Sequence, residues 1–91
     1  GVISVWANVQ PKEVHDMCHA WLAGDHAAAL ETQLAGIELV DSLFCEVNPI
    51  PVKYALELMG FGKAVYRQPL CEPSDAAKAT IAAVMKNAGI I

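Results

Sequence analysis

Only one stretch of this chain reads as a β-strand, and it reads as a buried one. Val2-Ile3-Ser4-Val5-Trp6 is short, β-branched and almost continuously apolar. That is the pattern of a strand covered on both faces in a parallel sheet. A strand by itself cannot satisfy its own backbone edges. No second strand candidate follows it, so its partners have to come from another copy or from further chain. The sequence also begins at Gly1 rather than at a starting Met, which points to a processed or excised chain.

Four helices are predicted after it. Pro11 suits the first helical position, where the missing N–H was an orphan anyway. Val14, Met17, Cys18, Trp21 and Leu22 recur at helical spacing, and Gly24 is placed to end the helix. Asp25 caps a second helix from about His26 to Cys45. Its apolar stripe is Leu30, Leu34, Ile37, Val40, Phe44 and Val47, widened by Leu39 and Leu43. A stripe that wide implies contacts on more than one side. Asn48-Pro49 stops the helix, because Pro49 cannot continue it and holds Asn48 extended. A third helix runs from Pro51 to Met59 with Val52, Ala55, Leu56 and Met59 inward, ended by Gly60 and Gly62. Lys63 to Pro73 has no period and reads as an extended loop. Ser74 caps the last helix, whose inner face is Ala77, Ile81, Val84, Met85 and Ala88.

The chain is 55% hydrophobic and 18% charged, against about 45–50% and about 25% in an average domain. A chain of 91 residues buries only about 60–65% of the surface it exposes unfolded. The surplus apolar surface calls for a cover, and self-association is the expected one. A net charge of -4 gives no basic footprint for nucleic acid. No apolar run approaches the ~20 residues of a membrane span. The three cysteines, Cys18, Cys45 and Cys71, form no C-x-x-C, and their odd number with no signal peptide fits a reducing cytoplasm. Cys18 and Cys45 lie in apolar helical patterns and read as structural thiols.

Three constellations offer chemistry, and each has a plainer reading. His15 and His19 stand one turn apart, as in a zinc-protease helix, but Asp16 replaces the longer Glu base and no third ligand is in sight. They read as solvated residues, with no metal. Lys53 has an amine able to form a Schiff base if desolvated. As it follows the first turn of a short helix, it reads as a surface or interface lysine. Arg67 of Tyr66-Arg67-Gln68-Pro69 is able to hold a carboxylate, against a loop simply packed on a helix. These residues by themselves do not state a function.

Several stretches together resemble one family. Gly1-Val2-Ile3-Ser4-Val5-Trp6-Ala7-Asn8 is similar to the eighth barrel strand of dihydrodipicolinate synthases, usually G-V-I-S-V-T-x-N. Met17-Cys18 and Leu22-Ala23-Gly24-Asp25 resemble the helix after it. Leu43-Phe44-Cys45-Glu46-Val47-Asn48-Pro49-Ile50-Pro51-Val52-Lys53 resembles the family's L-F-x-E-x-N-P-I-P-V-K block. Met59-Gly60, Arg67-Gln68-Pro69-Leu70 and Asn87-Ala88-Gly89-Ile90-Ile91 resemble its M-G, R-x-P-L and terminal x-A-G-L-L. The asparagine-proline block favours the synthase over its sialic-acid lyase relatives.

The resemblance implies a mainly α segment of four helices with one short N-terminal β-strand. It would be the last βα unit (1–24) and C-terminal helical region (25–91) of a (β/α)8 barrel. It implies a lyase that condenses pyruvate with aspartate semialdehyde on the diaminopimelate route to lysine, through a lysine Schiff base and with no cofactor. That lysine, its tyrosine and threonine relay and the carboxylate-binding arginine lie upstream of the matched segment. No catalytic residue is therefore expected here, and Lys53 does not inherit the role. Ile3 is implied to line the pyruvate pocket, with Ser4 a weaker neighbour. Trp6 departs from the usual threonine. The alternative is a non-catalytic helical module for oligomerisation or interaction.

Overall fold

The computed structural model describes residues 1–91. A short 3-10 turn, Trp6–Asn8, leads into four helices: α1 Pro11–Leu22, α2 His26–Ser42, α3 Ile50–Leu58 and α4 Asp75–Asn87. Helix α1 packs on α2, α2 on α4, and α4 on α3, so α4 lies between the second and third helices. The molecule is elongated, 43 × 24 × 21 Å.

The helix ends are set locally, as the sequence predicts. The Asp25 carboxylate accepts from the Ala28 N–H at 3.1 Å, and the Ser74 hydroxyl accepts from the Ala77 N–H at 3.2 Å. Each satisfies one of the orphan donors of its helix. Gly24 follows α1 with φ +88°, a left-handed conformation that side chains avoid. Helix α2 ends three residues before the predicted Cys45. The Ser42 hydroxyl donates to the Leu39 carbonyl at 2.6 Å, and the next amides reach back three residues instead of four. Such side-chain competition weakens the ladder at its end.

The expected N-terminal strand is absent. Gly1 to Ser4 form no regular element, and Trp6 begins the 3-10 turn. The reason is geometric: a strand exists only through hydrogen bonds to a neighbour, and nothing in this chain lies beside Val2–Val5 to pair with it. Its predicted last residue, Trp6, turns inward and becomes part of the core.

The inner face of α2 also differs from the predicted stripe. Ala29, Gly36, Leu39 and Ser42 are buried, and Leu43 just past the helix is fully so. Leu30, Leu34, Ile37, Phe44 and Val47 are exposed instead. Of the predicted stripe, Leu39 and Leu43 do face inward, and they share the buried side with the small Ala29, Gly36 and Ser42. Two small residues, Ala29 and Gly36, let the helix close onto its neighbours. In α1 only Val14 is buried, while Trp21 and Leu22 face outward. In α4 the prediction holds for Ala77, Ile81 and Met85.

The core joins Trp6, Val9, Val14, Leu39, Leu43, Val52, Ala55, Ile81 and Met85. Cutting Ile81→Ala, at a fully buried site, is expected to cost about 2–5 kcal/mol through lost contacts and a cavity. Leu34→Ala, on the outward stripe, is expected to change stability by less than about 0.5 kcal/mol. Urea denaturation of the 91-residue chain measures both, and equal losses would mean that the outward stripe is covered.

Candidate functional site

The residues that the resemblance points to lie at the N-terminal end. Ile3 is fully exposed, at 109% of its reference area. It immediately precedes a turn whose hydrogen bonds fix the backbone from Ser4 to Gln10. The Ala7 N–H donates to the Ser4 hydroxyl at 3.3 Å, and the Asn8 N–H to the Val5 carbonyl at 3.1 Å. The Val9 and Gln10 amides both donate to the Trp6 carbonyl. Ser4 is thus half-buried, with its hydroxyl already accepting inside the turn.

Trp6 is the anchor of that turn. Its indole N–H donates to the Gln10 side-chain oxygen at 2.9 Å, and the ring is 5% exposed. It lies directly on the backbone of Gly36 in α2. A Cβ at position 36 would meet indole atoms Cζ2 and Cη2 closer than non-bonded carbons approach. Sequence reasoning missed this notch. The only signal was a glycine in the middle of a long helical pattern, which usually has a packing reason.

The other candidates separate in space and role. His15 and His19 are exposed and stack on each other, with centroids 4.0 Å apart. Asp16 beside them is bonded to the Lys12 ammonium at 2.5 Å and lies 3.3 Å from the His15 ring. The Lys12 hydrogen bond, and after it that of His15, holds the Asp16 carboxyl below its ordinary range. That carboxylate serves an exposed ion pair. No group of three or more histidine, cysteine or acidic side chains converges anywhere in the structure.

Lys53 acts as a strap. Its ammonium donates to the Val65 carbonyl at 2.9 Å, while Glu57, one turn on, accepts from the Ala64 N–H at 3.2 Å. Together they clamp the backbone of two successive residues of the 63–73 loop, Ala64 and Val65, onto α3. Glu46 accepts from the Ser74 N–H at the loop's far end, at 3.2 Å. The loop has no helix or strand, as predicted, but it is not extended throughout: the Leu70 N–H donates to the Arg67 carbonyl at 2.9 Å across a turn, and Arg67 is exposed on it. All three cysteines are free. Cys18 is half-buried, but Cys45 lies past the end of α2 and is exposed, which corrects its reading as a helix-core thiol. Partial desolvation, then the neighbouring Glu46, pushes the Cys45 thiol up, away from a reactive thiolate. The arrangement assembles no nucleophile with a base.

Three comparisons with known proteins agree. The model of the dihydrodipicolinate synthetase family matches residues 1–88. The 4-hydroxy-tetrahydrodipicolinate synthase of Lachnoclostridium phytofermentans is 45% identical over 91 residues, covering 100% of this chain and 31% of the relative. That of Clostridium tetani is 56% identical over 71 residues, covering 78% of this chain and 24% of the relative. The chain therefore spans less than a third of the length of these relatives. The crystal structure of dihydrodipicolinate synthase from Thermotoga maritima superposes with a TM-score of 0.97 at 38% identity, over 100% of this chain and 31% of that one.

The strapped loop generates a pH prediction. The Tyr66 hydroxyl is enclosed without a hydrogen-bond partner, and burial, with Glu57, Glu72 and Tyr54 nearby, pushes its pKa up. The folded state thus holds this proton more tightly than the unfolded state. Stability is expected to fall once the pH rises past the ordinary tyrosine value of about 10. Tyr66→Phe is expected to leave stability unchanged or improved at neutral pH, since it removes an unpaired polar atom, and to blunt the alkaline loss. Thermal melts across the alkaline range decide this, and a wild-type alkaline slope in Tyr66→Phe would refute it.

Proposed function

This chain belongs to the dihydrodipicolinate synthetase family, and from that premise we propose that it is the C-terminal part of a Schiff-base-forming synthase. The proposed reaction condenses pyruvate with aspartate semialdehyde on the diaminopimelate route to lysine. The proposed setting is the cytoplasm. No helix here is long and apolar enough to cross a membrane.

One observation carries the reading: relatives of a single activity match every residue of this chain, yet extend far beyond it. Within that reading Gly1–Val5 is the eighth barrel strand, paired by strands from the remaining two-thirds of the protein. The side chain of Ile3, which contacts nothing that would bury it here, then faces the barrel mouth and contributes an apolar wall to the pyruvate pocket. Chemistry in such barrels sits at strand C-termini and the loops that follow them. The Schiff-base amine comes from an earlier strand. Lys53 is committed to the Val65 carbonyl on the far side of the helical region, so it stays a structural residue.

The 91-residue chain by itself is expected to be inert. A coupled assay with pyruvate and aspartate semialdehyde tests this, with the intact protein as the positive arm. Turnover by the short chain, or none by the intact protein, would overturn the reading.

A second reading is favoured by the outward stripe of α2. Leu30, Leu34 and Ile37 are spaced to form one exposed apolar row, each at least 42% exposed. We propose self-association through this row as a property of the chain, whether or not it also completes an enzyme. Sedimentation is expected to show concentration-dependent oligomers that Leu34→Lys dissolves. A monomer at high concentration would exclude it.

A further inference from the structure

We propose that Trp6 is a positioning residue for the pyruvate end of the site, and that Gly36 is the seat that makes its position unique. The inference rests on the reading that Ile3 lines the pyruvate pocket. It adds which contact sets the place of Ile3, and it concerns two residues that do not themselves touch substrate.

The geometry is as follows. Ile3 is followed directly by the Ser4–Gln10 turn, whose amides are bonded to Ser4, Val5 and Trp6. Those bonds tie the turn together from Ser4 to Gln10. Of its side chains, Trp6 and Val9 are buried, and the indole is much the larger. Trp6 is held from two directions. The Gly36 backbone stops the ring on one side, and Gln10 takes its N–H. Since the chain spans at most about 3.3–3.6 Å per residue, Ile3 lies within about 10 Å of this anchor. A shift of the indole therefore moves the strand end that carries Ile3.

Space exists for such a shift. A groove of about 470 Å³ opens beside the ring, bordered by Glu13, Glu31 and Thr32. A methyl group on Gly36 would drive the indole off its seat, because a packed ring cannot flex at its tip as a linear side chain does. Losing one wall's register in a pocket weakens binding of the small substrate more than it slows later chemistry. Misplacements of about 1 Å caused from a distance are known to matter on this scale.

The test uses the intact protein and two variants, with steady-state kinetics in both substrates. Gly36→Ala is expected to raise the KM for pyruvate about five- to tenfold, while the KM for aspartate semialdehyde and kcat stay within about twofold. Trp6→Phe keeps an aromatic ring over Gly36 but loses the bond to Gln10, and is expected to shift the same parameter about two- to threefold. If Gly36→Ala does not fold, Trp6→Phe carries the test. A variant that folds with wild-type pyruvate KM overturns the proposal, as does one in which both KM values rise together. An intact wild-type protein without condensation activity overturns the functional reading and this inference with it. Normal wild-type turnover with unmoved pyruvate KM in the variants overturns the inference alone.

Discussion

The indole of Trp6 resting on the bare backbone of Gly36 is the contact on which the arrangement depends. It joins the start of the chain to the middle of α2, thirty residues later in sequence. Helix α1 leaves the turn that Trp6 anchors, so the crossing of α1 over α2 follows from it. Helix α4 then packs against the same α2 and against α3, and its Ile81 and Met85 are fully buried in the shared core. A methyl group on Gly36 falls on the indole itself, so the strain it creates is concentrated on that ring.

What was legible in the sequence was local. Asp25, Ser74 and Gly24 act over three or four residues of their own backbone, so the helix starts and stops they dictate require no knowledge of the fold. The inner face of α2 was not legible by the same means. Leu39 and Leu43 could be read as inward from the stripe, but Ala29 and Gly36 face inward because a neighbour approaches there, as the Trp6 indole does at Gly36. The strand failed for the same reason at a larger scale. Val2–Val5 carry strand chemistry, but a strand is a relation between two segments, and the second one is not in this chain.

The candidate site was legible only through resemblance. Nothing in the spacing around Ile3 marks it as a pocket residue, since an isoleucine on an apolar run looks like core. The structure adds a physical peculiarity: this apolar side chain has full exposure while the residue three positions on is buried. Ser4 went the other way. Its hydroxyl accepts the Ala7 amide, and so stiffens the backbone beside Ile3. The Lys53–Glu57 clamp was invisible too, because its targets are backbone groups of residues 64 and 65, which no side-chain pattern announces.

The apolar surplus and the empty chemistry have one explanation in common. A single module that evolved to stand alone would hide Leu30, Leu34, Ile37 and Ile3 or replace them with polar residues, since large exposed apolar patches mark interfaces. The relatives that match all of this chain are more than three times as long as the matched segment. The outward row of α2 and the unpaired backbone of Val2–Val5 ask for different covers, because an apolar row is covered by any apolar surface, whereas a strand edge is satisfied only by another backbone.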